Sequence, residues 1–278
     1  MGDLVCGIEF PSISRNAILD RYNANPIVSS GERLEMKLLR SVQRRLGRSK
    51  VSLRLEEQCP DIQEREFHAA LELCGSASMT SIERLYALYQ AVRYVAAAGV
   101  PGDFVECGVW KGGSVMMMAL ALLGVGVADR DLYLFDTFAG MPEPTDKDVD
   151  YTGQEMRAVT RANPGWLKAG MDEVRANLAK TRYPAERFHL VPGNVLDTVP
   201  DQAPKTIALL RLDTDWHKSS QHELAHLFPR LSRRGVLIID DYGHFQGVRE
   251  AVDEFLAAQK EPYLLQRIDY AARLLIKA

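Results

Sequence analysis

Three short runs constrain this chain more than any other feature of it. Leu132-Tyr-Leu-Phe-Asp136, Ile207-Ala-Leu-Leu-Arg-Leu-Asp213 and Val236-Leu-Ile-Ile-Asp240 are almost wholly apolar, and each closes on an aspartate. A strand that is apolar along its whole length offers no face to water, so helices must cover both sides of its sheet. The intervening segments can supply them. Helical spacing predicts helices over Thr80–Ala98 (Thr80 or Ser81 as N-cap, Gly99 as stop), Ser114–Leu123, Met171–Thr181, Ser219–Leu231 and Gly247–Ala258. The three runs predict strands over Leu132–Phe138, Ile207–Leu212 and Val236–Ile239, and further strands are expected over Asp103–Val109 and Phe188–Val191, with a closing hairpin around Tyr270-Ala271-Ala272. Regular strand–helix alternation predicts an α/β fold: a doubly wound, mostly parallel, Rossmann-like sheet over 76–278 with a C-terminal antiparallel hairpin.

Residues 1–75 differ in texture and are expected to form a helical extension or cap. Between Gly31 and Leu55 eight basic residues face two acidic ones, with leucines at helical spacing, which reads as an amphipathic helix presenting a solvated basic face. The chain of 278 residues is 46% hydrophobic with net charge −3, which argues against general nucleic-acid binding. Four cysteines without a CxxC pair suggest neither a disulfide framework nor a zinc knuckle, and a cytoplasmic setting is expected. The start, MGDLVCGIEF, lacks the features of a signal peptide, and the uncharged run Gly112–Ala128 is short for a membrane span, so no membrane insertion is expected. A homodimer is expected.

In doubly wound sheets ligands gather at the carboxyl ends of the strands, and there the polar residues concentrate. The first end reads Glu106-Cys-Gly108-Val-Trp-Lys-Gly112-Gly113-Ser114. Its glycines allow a tight turn and a close backbone approach to a ligand, and the helix start that follows suits an anion. Asp136, at the next tip, is placed for ribose hydroxyls, and Gly193 to Asp197 fall where an adenine edge would lie. Asp213, Asp215, Asp240 and Asp241 crowd two neighbouring tips. Such a cluster repels itself unless a cation joins it, and an all-oxygen set selects a hard ion such as Mg²⁺.

Two other motifs carry different chemistry. His222-Glu223-Leu-Ala-His226 matches the HExxH of zinc proteases, with Glu250 downstream as a third ligand, although a crossover helix lacks the open cleft that chemistry needs. Asp213-Thr-Asp215 is a D-x-D of the kind that holds a nucleotide diphosphate in glycosyltransferases. His68 and His189 read as structural, and Trp110 and Trp216 suit either a pocket wall or the core.

The stretches GVPGDFVECGVWKGGS, LFDTFAGMPEP, LRLDTDW and GVLIIDDYGHFQGVREAVDEF together resemble the macrocin O-methyltransferase (TylF-type) family, over roughly Met79 to Phe255. The resemblance implies a class I methyltransferase fold and a methyl transfer from S-adenosylmethionine, with Mg²⁺, to a hydroxyl of a sugar on a secondary metabolite. It implies metal ligands at Asp213, Asp240 and Asp241 and a general base at Asp215; His244, just past the acidic pair in the sequence, is placed to reach the acceptor as a second catalytic candidate. It also implies cofactor contacts at Glu106, Gly108, Ser114 and Asp136, and a segment closing over the methionine end at Met79-Thr80-Ser81. His217 stands where the family pattern leads one to expect tyrosine.

Overall fold

The computed structural model describes residues 58–278. The basic helix expected within 31–55 lies outside them. The elements are α1 (Arg65–Cys74), α2 (Ile82–Ala97), β1 (Asp103–Cys107), α3 (Gly113–Gly124), β2 (Leu132–Asp136), α4 (Met156–Ala162), α5 (Met171–Ala179), β3 (Phe188–Pro192), α6 (Val195–Thr198), β4 (Ile207–Leu212), α7 (His217–Leu227), β5 (Leu231–Ile239), α8 (Gln246–Ala257), β6 (Gln266–Arg267) and β7 (Arg273–Ile276). The sheet order is β3-β2-β1-β4-β5-β7-β6. The first five strands run parallel, and β7 lies antiparallel to both β5 and β6. This is the doubly wound sheet with a closing hairpin that the alternation predicts.

Strand periodicity sorts the core into two layers. Phe104, Leu132, Leu134, Leu209 and Ile238 point to one face and pack with α1, α2 and α3. Val105, Cys107, Phe135, Leu210, Leu237 and Ile239 point to the other and pack with α7 and α8. Phe67, Leu71 and Cys74 of α1 belong to the first layer. The stretch from Cys59 to Cys74, assigned from sequence to the extension, therefore shares the core of the sheet domain. Its apolar positions are too few to reveal this without the sheet they cover.

The sequence boundaries shift by a residue or two at most strands and helices. Leu231–Ile239 is longer than the expected Val236–Ile239 because its first residues pair with β4 beyond an irregularity in register. Among the described residues, Cys59, Cys74 and Cys107 are free and buried, and no helix is long and apolar enough to cross a membrane.

Candidate active site

The same two-residue period that builds the first core layer delivers charged side chains to its upper edge. Glu106 follows Phe104, Arg211 follows Leu209 and Asp240 follows Ile238, each two positions on and so on the same face. Glu106 lies in register with Arg211, and Arg211 with Ile238. The Arg211 guanidinium, only 2% exposed, therefore meets several carboxylates at once. It donates to Glu106 Oε1, to Asp213 Oδ2 at 2.7 Å and to Asp240 Oδ1 at 2.5 Å. Arg84, one turn into α2, donates to Asp240 Oδ2 and, at 2.8 Å, to Asp269 Oδ2. Thr80 closes the set by accepting from Arg211 at 3.2 Å and donating to Asp240 at 3.4 Å.

Beyond this knot the β4 tip turns. Asp215 adopts φ +65°, in the left-handed region, so the chain does not stay extended past Asp213 as the spacing suggests. Aspartate tolerates that region better than most residues. The turn is fastened from behind, where the Thr214 hydroxyl donates to the wholly buried Glu223 carboxylate at 2.9 Å and sits 2.9 Å from Ser219 Oγ. Oxygens of Asp213, Asp215 and Asp241 then come within 4.8 Å of one another. Burial, reinforced by the neighbouring carboxylates, pushes Asp213 and Asp241 well above the ordinary range, and lifts Asp215 to about 8. Glu106 is also lifted to about 8 by burial, against the pull of Arg211.

The structure thus splits the four tip aspartates differently from the expected ligand set. Asp213, Asp215 and Asp241 converge, whereas Asp240 is consumed by two guanidiniums and Thr80. Two buried oxygens at the site have no hydrogen-bond partner, Glu106 Oε2 and Asp241 Oδ2. An orphaned carboxylate oxygen suits a cation. The donor set around Asp241 fits a hard divalent ion, and that at Glu106 fits an ammonium group.

All of this opens into a cavity of about 300 Å³. Thr80, Glu106, Gly108, Ser114, Asp136 and Gly193 line it, as do Asp213, Asp215, Asp240, Asp241 and His244. Asp197 does not, because it stands exposed on the short α6, whose cap is Asn194, accepting from Leu196 N at 3.0 Å. Asn194 lines the cavity instead.

Asp136 binds backbone in both directions. Oδ2 accepts from Val109 N at 2.7 Å and Trp110 N at 3.0 Å, and Oδ1 from Phe138 N at 2.7 Å. Gly108 has φ +82°, and a Cβ there would lie 1.9 Å from the Asp213 carbonyl oxygen. A Cβ on Gly113 would strike the Ala77–Ser78 segment at 2.6 Å. These glycines are demanded by chain crossings around the cavity, more than by a ligand's bulk.

The HExxH motif dissolves in three dimensions. Glu223 points inward to Thr214, while His222 Nε2 donates to the Val199 carbonyl, 2.8 Å away, and His226 is exposed, so the HExxH residues share no metal site. Glu250 pairs with Lys147 at 2.6 Å, which also lies 3.1 Å from His217 Nε2. The departure at His217 falls outside the cavity lining. Trp110 lines the cavity, whereas Trp216 is core, donating to Pro142 O at 3.0 Å. His68 and His189 bond to Ile62 O and Asp131, as structural residues do. Sequence reasoning missed Arg84, Arg211, Trp166 and Tyr270. Only Arg211 left a signal, as the single charge inside an apolar strand.

Comparison with known proteins places the chain among O-methyltransferases. The sequence model of the Macrocin-O-methyltransferase (TylF) family matches residues 28–276. The demethyldecarbamoylnovobiocin O-methyltransferase of Streptomyces niveus is 36% identical over 180 residues, 65% of this chain and 68% of that one. The 8-demethyl-8-(2,3-dimethoxy-alpha-L-rhamnosyl)-tetracenomycin-C 4'-O-methyltransferase of Streptomyces olivaceus is 37% identical over 178 residues, 64% of this chain and 67% of that one. Among solved structures, the O-methyltransferase NovP superposes with a TM-score of 0.66 at 33% identity, covering 72% of this chain and 82% of its own.

Proposed function

The chain belongs to the macrocin O-methyltransferase family and is an O-methyltransferase, and on that premise we propose that it methylates a hydroxyl of a sugar or similar diol on a secondary metabolite, using S-adenosylmethionine and a divalent cation such as Mg²⁺. The relatives' named acceptors support the substrate class. The observation that carries the cation is the convergence of Asp213, Asp215 and Asp241, with Asp241 Oδ2 buried and unpartnered.

S-adenosylmethionine supplies an electrophilic methyl group on a sulfonium. Glu106 Oε2 would accept from its α-ammonium group, and Asp136 and the Gly193–Asn194 turn would contact its nucleoside. Asp213 and Asp241 would hold the divalent cation, which would supply the charge that lowers the pKa of an acceptor hydroxyl and keeps these carboxylates ionised. Asp215 takes the proton from that hydroxyl onto a carboxylate oxygen. The oxygen forms a bond to the methyl carbon as the carbon–sulfur bond breaks, and S-adenosylhomocysteine leaves. A reaction of this kind depends chiefly on alignment, which the β1 and β4 turns provide. They are locked together at Gly108 and Asp213, whose amide donates to Cys107 O at 2.8 Å.

The test uses purified protein, labelled S-adenosylmethionine and a panel of glycosides with vicinal hydroxyls. Transfer to a sugar hydroxyl that stops in EDTA and returns with Mg²⁺ is expected, with S-adenosylhomocysteine still binding in EDTA. Full turnover with the metal demonstrably removed refutes the cation's role, and tight NAD binding without S-adenosylhomocysteine binding refutes the cofactor.

A further inference from the structure

The mouth of the cavity carries aromatic side chains that the methyl-transfer machinery does not use. Tyr151 is 62% exposed and Tyr270 is 53% exposed, among the most exposed large apolar side chains of the described residues. They converge from distant parts of the chain on His244. The Tyr151 and His244 ring centroids are 5.4 Å apart, Tyr151 and Tyr270 6.3 Å, and His244 and Tyr270 5.9 Å. His244 and Tyr270 line the cavity, and Tyr151 extends that wall outward. Exposed Met79 lines the same cavity.

Each ring is held from behind. The Tyr151 turn is tied by Asp150, whose Oδ1 accepts from Thr152 N at 2.8 Å and Gln154 N at 3.0 Å, and Gln246 Nε2 donates to Asp150 O at 2.9 Å. The Tyr270 turn is tied by Asp269, which accepts from Ala271 N, Ala272 N, Ser81 and Arg84. The loop that carries His244 touches the Tyr270 turn where Gly243 N donates to Ala271 O at 2.7 Å, so closely that a Cβ on Gly243 would lie 1.9 Å from Tyr270 O. The Tyr270 hydroxyl and His244 Nδ1 are 3.2 Å apart.

Aromatic rings clustered and facing solvent beside a reaction centre suit a flat apolar ligand, since aromatic rings gain from offset or edge contacts as well as from burial. We propose that Tyr151, His244 and Tyr270 form a subsite for a planar aromatic aglycone attached to the sugar whose hydroxyl is methylated. The inference rests on the sugar O-methyltransferase reading and adds the chemistry of the group next to the sugar. Polar acceptors of equal size would leave the tyrosine rings in water and gain little.

The experiment compares kcat/KM for naphthyl and methyl glycosides of one sugar, under saturating S-adenosylmethionine and Mg²⁺. The naphthyl glycoside is expected to be favoured. Tyr151→Ala and Tyr270→Ala should each lower the naphthyl-to-methyl ratio by roughly 2- to 10-fold, the range of an aromatic pair. Tyr151→Phe should keep the ratio, as a ring contact requires and a hydroxyl contact does not. Affinity for S-adenosylhomocysteine, measured in parallel, reports that each variant is folded. Equal kcat/KM for the two glycosides, or an unchanged ratio in both alanine variants, overturns the subsite while leaving the methyltransferase reading intact. Turnover of neither glycoside by protein that binds S-adenosylhomocysteine overturns the sugar reading, and the subsite with it.

Discussion

Glu223 offers a sharp test of the electrostatics behind the β4 tip. Its side chain is wholly buried, its partner is a neutral hydroxyl, and no cation of the described residues is paired with it. Burial raises its pKa from an ordinary 4.5 to about 8, against the Thr214 hydrogen bond, which lowers it. A carboxyl with a raised folded pKa stabilises the fold fully only below the unfolded value. That contribution is lost progressively as pH rises from about 4.5 through about 8. At about 1.4 kcal/mol per unit, the loss between pH 5 and pH 8 comes to about 3–4 kcal/mol. For a chain of 278 residues this corresponds to a Tm change of roughly 5–7 °C. Glu223→Gln keeps the shape and the acceptor for Thr214 and removes the titration. In chelator, the Tm of the variant minus that of the parent protein should climb by that amount across this pH window. A constant offset would report only hydrogen-bond geometry. A difference that does not move between pH 5 and pH 8 would refute the assignment of a buried, proton-holding carboxyl.

Other expectations concern the cavity itself. Asp215→Asn should lower kcat by roughly 10²- to 10⁴-fold, the usual span for a lost general base, with S-adenosylhomocysteine affinity retained in calorimetry. Asp241→Asn should weaken the Mg²⁺ dependence of turnover with little change in apo Tm, whereas Asp240→Asn should destabilise the apo protein by about 3–5 kcal/mol, because it strips a buried partner from Arg84 and Arg211. Equal Tm losses in the two variants would undo that division of labour. His222→Ala should leave turnover and its metal requirement intact, since its ring meets a backbone carbonyl away from the cavity.

The layer order of the sheet was readable because its cause is local. Runs such as Ile207–Leu212 and Val236–Ile239 show a missing polar face directly, and a parallel sheet follows from the helices between them. α1 was not readable in the same way. Phe67, Ala70, Leu71 and Cys74 form one stripe of a short helix, and only the presence of α3 behind it makes that stripe core. The residues between β2 and α5 hold further structure, including α4, whose single fully buried side chain is Met156 and whose periodicity is correspondingly faint.

The candidate site divides along the same line. Strand tips are local features, so Glu106, Asp136, Asp213, Asp215, Asp240 and Asp241 could be named in advance, and all of them border the cavity. What each carboxylate does there is not local. Asp240 and Asp241 are neighbours in sequence, yet just past the end of β5 their side chains part, each with different partners. One enters a layer holding Arg211 from β4 and Arg84 from α2, the other faces Asp213 and Asp215 with an oxygen unpaired. A pair of adjacent aspartates in a sequence predicts two equivalent ligands. The fold makes them unlike, because the guanidiniums that neutralise one come from segments whose proximity no spacing rule encodes. The basic residue within an apolar strand was the visible trace of this. Arg211 could lie at that depth only if carboxylates met it there, and their number at the neighbouring tips exceeds what it and Arg84 can balance. The surplus of carboxyl groups, gathered at Asp213, Asp215 and Asp241, is the observation that supports the proposed cation at this edge of the sheet.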